Sequence, residues 1–323
     1  MIVYRKLEDV PAGIKTVLSA GNFDGVHRGH QHVLAKVVQR AKSLGASSMV
    51  LTFEPHPVRI LHPDVPKRLL TPLPVKLRLL EKCGLDAVLV LPFTRDLSIM
   101  PARDFTEDIL ASRLHVLEIH EGSNFRFGHS AEGNVEMLRR FGCELGFPVE
   151  VYPQESYRGE LVSSSRIREL VSLGLIERAR GLLARPFSIV STAGRGRGYG
   201  HRYTVPTINL ARYAEQIPAF GVYVTWTRVG AECFKAVTNV GNRPTFGEDS
   251  FAVESHLLDF HPLTLTPETE IEIVFLLRLR DEIKFPSVDE LRAQIGRDVL
   301  QSERYFRMVA AQQRPSPKQS LQD

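Results

Sequence analysis

Cysteine is scarce in this 323-residue chain. The three present, Cys83, Cys143 and Cys233, are scattered, odd in number and form no CxxC pair. That argues against a disulfide framework and against a thiolate zinc site. Long apolar runs are lacking too: none reaches the ~18 residues of a membrane span. The N-terminus, MIVYRKLEDVPAG, has no uninterrupted apolar stretch of the secretory kind, so a cytoplasmic location without a membrane partner is expected. Neither sign of charge dominates. Lys and Arg total 41 against 37 Asp and Glu, a net charge of +4. So small an excess fits an anionic small molecule as well as nucleic acid. No internal repeat is visible. What is present is a hydrophobic fraction of 43% and a length that allows two domains.

The first half alternates strand and helix patterns. Short apolar runs at 16–21, 48–53, 86–93, 115–122 and 147–153 lack clean alternation, as expected of strands buried on both faces. Helical patterns at 30–44, 73–83, 101–113 and 131–143 separate them, and another spans 164–184. This order predicts an α/β domain with a doubly wound parallel sheet. Arg185-Pro186 then breaks the pattern. Runs at 220–229, 232–240, 252–260 and 269–280 predict a mainly β domain, a small antiparallel barrel or sandwich, closed by one amphipathic helix at 287–309. The predicted division is 1–185, 186–310 and a polar, disordered tail at 311–323.

The segment GNFDGVHRGH (21–30) stands where the first of those strands passes into a helix. Ligands bind beyond the carboxyl ends of strands in such sheets. Gly21 and Gly25 let the backbone turn and approach a ligand closely. Gly29 and His30 fall at the helix N-terminus, where amide groups and the helix dipole favour an anion. His27 and His30, three apart, can both face it. Two other readings stay open: zinc held by both histidines and Asp24, or a purely structural turn. The spacing is not that of a P-loop.

His27-Arg28-Gly29-His30 resembles the HxGH signature of the nucleotidyltransferase superfamily. The wider GNFDGVHRGHQ, with TFEPHP (52–57), GSNFRFG (122–128) and SSSRIR (163–168) in order, resembles the adenylyltransferase module of bacterial bifunctional riboflavin kinase/FAD synthetases. The resemblance covers roughly residues 10–310. It implies transfer of AMP from ATP to FMN, with release of pyrophosphate. The nucleophile would be an FMN phosphate oxygen, ionised near pH 7, so no general base is required. His27, His30 and Arg166 are then expected to relieve charge on the transferring phosphoryl group. Gly21, Phe23, Asp24, Gly25, Gly29 and the hydroxyl cluster Ser163, Ser164 and Ser165 are expected against ATP. Asp24 can equally orient a histidine or brace the turn. Asn124, Phe125, Phe127 and His56 are candidates for the flavin, with core packing the competing role for at least one phenylalanine. Ser165 stands where the family usually has threonine.

In the second half, TVPTIN (204–209) resembles the PTxN motif of riboflavin kinases. The resemblance implies that Thr207 and Asn209 hold Mg²⁺ and contact ATP, a hydroxyl and an amide oxygen for a hard cation. Glu254 matches the family's catalytic base, and the chemistry needs one: riboflavin's 5′-hydroxyl is a poor nucleophile. The run GRGRGYGHR (194–202), with Gly196 and Gly200, reads as a flap over the phosphates. His201 departs from the family's arginine, and Thr204-Val205 from Gly-Phe. The whole reading is a two-step flavin-cofactor enzyme acting on flavins and ATP, a monomer or weak homo-oligomer without a nucleic-acid partner. The alternatives are an adenylyltransferase for another substrate with a degenerate kinase domain, and a nucleic-acid-binding protein using the Gly/Arg run, which salt-dependent binding would reveal.

Overall fold

The computed structural model describes residues 1–194, 207–211, 213–242, 251–261, 263 and 265–312. Contacts divide the chain into two compact units. One comprises Met1–Arg168 with Leu182–Ala184, the other Glu169–Gly181 with Arg185–Asp323.

The first unit begins with β1 (Ile2–Tyr4) and β2 (Thr16–Ala20), then α1 (Arg28–Leu44) and β3 (Ser47–Glu54). Next come α2 (Pro57–Leu61), α3 (Leu73–Lys82), β4 (Ala87–Pro92), α4 (Arg95–Ser98) and α5 (Ala102–Asp104). After β5 (Val116–Gly122) a short pair, β6 (Arg126–Phe127) and β7 (Gly133–Asn134), precedes α6 (Val135–Leu145) and β8 (Val149–Tyr152). A second short hairpin, β9 (Ser156–Tyr157) and β10 (Glu160–Leu161), leads to α7 (Ser164–Ser172) and α8 (Ile176–Leu183), of which Glu169–Gly181 belong to the second unit. The main sheet is wholly parallel in the order β1-β4-β3-β2-β5-β8. All five residues of β2 are buried, and separate apolar clusters cover the two faces. One contains Leu18, Met49 and Leu89, the other Val17, Val50 and Val88. That two-sided burial is why these strands read as apolar runs. Helix α1 buries Val33, Leu34, Val37 and Ala41 and stops at Gly45, in the left-handed conformation at φ 61°.

Two helical expectations need correction. The pattern at 101–113 is not one α-helix: α5 runs directly into a π-helix, Phe105–Arg113. The stretch at 164–184 is two helices, broken at Gly174. Gly174 has φ +73°, a left-handed conformation that glycine adopts without strain.

The second unit holds β11 (Phe187–Thr192), β12 (Thr207–Asn209), β13 (Gly221–Val229), β14 (Glu232–Asn242), β15 (Phe251–Leu257), β16 (Glu270–Arg280) and α9 (Val288–Gln312). Its sheet is antiparallel in the order β11-β16-β13-β14-β15-β12. An antiparallel bridge between Ala193 and Leu210 joins the two edges, so the pairing closes into a barrel. Helix α9 packs Phe306 against Trp226, ring centres 4.7 Å apart. Its buried Asp298 accepts a bidentate pair from Arg280. Residues 311 and 312 still belong to that helix. The rest of the expected tail lies outside the described residues.

Candidate functional site

The loop between β2 and α1 has a constrained backbone. Phe23, Gly25 and Val26 have φ of +47°, +84° and +37°. Only glycine adopts such values freely, and a β-branched residue there is strained. Gly25 has a further reason to be glycine, because a Cβ would sit 2.9 Å from Leu70 Cδ1. Gln31 secures the loop by donating to the carbonyls of Val26 and Leu183, at 2.8 and 3.0 Å.

That turn brings two histidines face to face. His27 is the N-cap of α1, and its Nδ1 accepts the amide N–H of His30 at 3.3 Å. The two imidazoles stack with ring centres 3.6 Å apart and planes inclined by 14°. Because Nδ1 of His27 accepts, a neutral ring carries its proton on Nε2, which is then a donor. Phe23 lies 5.0 Å from the His30 ring. A Cβ at Gly29 would lie in ordinary contact with the His27 ring, at 3.5 Å.

Asp24 is 2% exposed and its carboxylate points inward. It accepts the amide N–H groups of Leu70 and Thr71, at 3.2 and 3.0 Å, and Nη2 of Arg168 at 3.4 Å. Thr71 in turn accepts the Gly25 amide at 2.9 Å through its hydroxyl. Of the roles open to Asp24, bracing the turn is the one these bonds describe.

The N-terminus of α7 meets the same loop. Ser163 accepts the Arg166 amide, and Ser164 donates to the Asp24 carbonyl at 2.9 Å. The two arginines of SSSRIR part company. Arg166 donates Nε to Glu160 on β10, while Arg168 joins Asp24. The Ser165 hydroxyl is 3.5 Å from Arg168.

Around Asp24 lies a group of cations, Lys67, Lys76 and Arg168. Lys76 on α3 is 1% exposed, and burial lowers its pKa against the pull of Asp24 and Glu54. Burial and then Arg168 lower that of Lys67. His56 is buried, caps α2 by accepting the Val58 amide on Nδ1, and is pushed down to about 3, first by burial and then by Lys67, Lys76, Arg168 and Arg59. It is therefore neutral at pH 7. Arg168 stood in a quoted motif. Lys76 lies in an ordinary helical pattern that carries no signal of its burial.

Helix α1 is tied to the sheet behind the loop. Arg40 makes a bidentate pair with buried Glu118, His120 Nε2 lies 2.9 Å from the same carboxylate, and His120 Nδ1 lies 2.7 Å from the Tyr152 hydroxyl. The Arg40 bond holds Glu118 below the usual carboxylate range, and burial holds His120 down despite Glu118.

The flavin candidates divide. Phe127 is buried among the core residues and stacks on Phe125, ring centres 5.3 Å apart, and Phe125 is only partly buried. Asn124 is exposed, with its Oδ1 facing Gly122.

In the second unit, register sets the arrangement. Asn209 pairs with Glu254, Thr207 with His256, and Glu254 also with Asn239. Strand alternation therefore puts Thr207, Asn209, Glu254, His256 and Asn239 on one face. The opposite face carries buried hydroxyls, with Thr238 and Thr227 at 3.0 and 2.6 Å from Ser255. Gly196, Gly200, His201, Thr204 and Val205 lie outside the described residues. Among the described residues, no group of three or more His, Cys, Asp or Glu side chains could hold a metal ion, so the zinc reading of His27, His30 and Asp24 finds no cluster.

A FAD synthetase family model matches residues 11–166 and a riboflavin kinase model matches 183–306. The bifunctional riboflavin kinase/FMN adenylyltransferase of Escherichia coli (strain K12) is 35% identical over 291 residues, which cover 90% of this chain and 92% of that protein. The protein of the same name from Haemophilus influenzae is also 35% identical, over 90% and 94% of the two chains. A solved structure described as a macrolide-efflux protein from Streptococcus pneumoniae superposes with a TM-score of 0.84 at 25% identity, over 94% of this chain and 98% of the other. Among the described residues of this chain, no helix is long and apolar enough to cross a membrane. The matched models and relatives together span both units, and the chain belongs to the bifunctional riboflavin kinase/FMN adenylyltransferase family.

Proposed function

We propose that the first unit transfers AMP from ATP to FMN and that the second phosphorylates riboflavin to FMN, with the working division of the chain near residue 185. The observation that carries the first assignment is the stacked His27–His30 pair capping α1, beside a second helix N-terminus at Ser163–Ser164. Two helix N-termini and the Nε2 donor of His27 converge on a site for phosphate. The FMN phosphate is already a nucleophile, so the protein's task is to align two anions and stabilise the charge that develops between them. Lys67, Lys76 and Arg168 add a positive field from beneath the loop. Arg166, on the first turn of α7, is the guanidinium that can turn from Glu160 to a phosphate oxygen. Phe125 and Asn124 sit on the loop after β5, where an isoalloxazine ring could be stacked and hydrogen-bonded.

For the second unit, the shared face of Thr207, Asn209 and Glu254 supports the kinase assignment. Its hydroxyl, amide and carboxylate oxygens suit Mg²⁺, a hard cation. Thr207 and Asn209 would hold it, and when bound it neutralises phosphate charge. Glu254 orients the 5′-hydroxyl of riboflavin and accepts its proton.

The test is pyrophosphate release with FMN and Mg-ATP alone. Stoichiometric pyrophosphate and FAD support the first assignment. FAD formation that requires a different flavin substrate would sink it.

A further inference from the structure

The strand order reverses between β2 and β5: from β2 the chain builds outward through β3 and β4, then returns to lay down β5 and β8. Such a switch point is where an open α/β sheet parts to admit a ligand. Here the parting is visible in the ladder. Pairing between β2 and β5 ends at Leu18–Ile119, although β5 stays paired with β8 as far as Gly122–Tyr152. On its other side β2 continues, and the Gly21 amide still reaches the Leu51 carbonyl at 2.9 Å. The Ala20 N–H, which faces β5, is thus left without a carbonyl. It donates instead to Oε1 of Glu121 at 2.6 Å. Glu121 is 4% exposed, and Ser19 also bonds its side chain.

We infer that Glu121 is a positioning residue that holds the sheet open at the switch point, its carboxyl group serving as the acceptor that a β5 carbonyl would otherwise supply to Ala20. Without that acceptor, Ala20 would either leave a buried N–H unsatisfied or close the ladder onto β5, and both shift Gly21 and the loop that ends in His27. Burial pushes the Glu121 carboxyl well above the ordinary carboxylate range, against the bonds it accepts from Ala20 and Ser19. Glutamine keeps, at the same reach, a side-chain oxygen that accepts from Ala20, whereas methionine offers none.

This inference rests on the adenylyltransferase reading of the first unit, and the test separates the two. Glu121→Gln and Glu121→Met are compared with wild type for FAD formation from FMN at varied ATP, and for FMN formation from riboflavin in the same preparations. Glu121→Gln should match wild type in both KM for ATP and kcat. Glu121→Met should raise KM for ATP by about tenfold, with a smaller loss in kcat and an unchanged riboflavin kinase rate. Should Glu121→Met fail to fold, Glu121→Asp, whose carboxyl stops one methylene short of Ala20, carries the same prediction. Wild-type KM for ATP in Glu121→Met or Glu121→Asp, or equal damage from glutamine and methionine, would overturn the inference. A wild-type protein that makes no FAD would overturn the functional reading instead.

Discussion

The hydroxyl of Ser164 donates to the main-chain carbonyl of Asp24 at 2.9 Å, so the first turn of α7 is stitched to the loop that presents His27. The Asp24 side chain faces the other way, into Leu70, Thr71 and Arg168. One residue therefore fixes the loop to two neighbours, through its backbone and its carboxylate separately.

Replacing that carboxylate should be costly. Asp24→Ala leaves two buried amides without an acceptor and Arg168 without its counter-charge. A loss of about 3 kcal/mol is expected from breaking a buried pair in this way. Urea denaturation followed by a probe of the first unit measures it. A loss under about 1 kcal/mol, the level of a surface ion pair, would mean that Asp24 is not the brace.

His27 combines two tasks that substitution can separate. Asparagine keeps an N-cap acceptor for the His30 amide but has no Nε2 donor. His27→Asn should therefore fold normally and lose FAD formation from FMN by at least about 100-fold. FMN formation from riboflavin should survive. His27→Ala should lose the same activity and about 1 kcal/mol of stability as well.

Glu254 should show the reverse pattern. Glu254→Gln retains the size and polarity of the side chain on β15 but cannot accept a proton. Riboflavin phosphorylation should fall by about 100-fold or more, while FAD formation from supplied FMN continues. Loss of both activities in a folded Glu254→Gln protein would contradict the division of labour.

Much of this was legible in the sequence because the physics was local. Strands buried on both faces produce unbroken apolar runs, and GNFDGVHRGH records a glycine-dependent turn leading into a helix. What escaped was set by tertiary contacts. Strand β1 is only three residues long and exists because β4 offers it an edge. Lys76 and Thr71 gain their roles from proximity to Asp24, which no spacing encodes. In SSSRIR both arginines were in view, but only the pairing with Glu160 and Asp24 distinguishes them.

His56 gives a prediction in pH. Its folded-state value of about 3 lies below the ordinary 6.5, so the unfolded chain binds the proton more readily. Stability is therefore lost as pH falls below about 6.5, by about 1.4 kcal/mol per pH unit, and the loss levels off near pH 3. His56→Asn keeps the cap on α2 and removes the titration. Between pH 7 and pH 5 the wild type should lose about 2 kcal/mol more than the variant in urea denaturation. Parallel pH profiles would mean that His56 takes up its proton in the folded state.

On the proposed function, one chain carries out two successive reactions at separate sites. Chromatography of the products formed over time from riboflavin and Mg-ATP tests it most directly. FMN should appear first and then decline as FAD accumulates. FAD that forms only when FMN is added, or FMN that is never converted, would contradict the account.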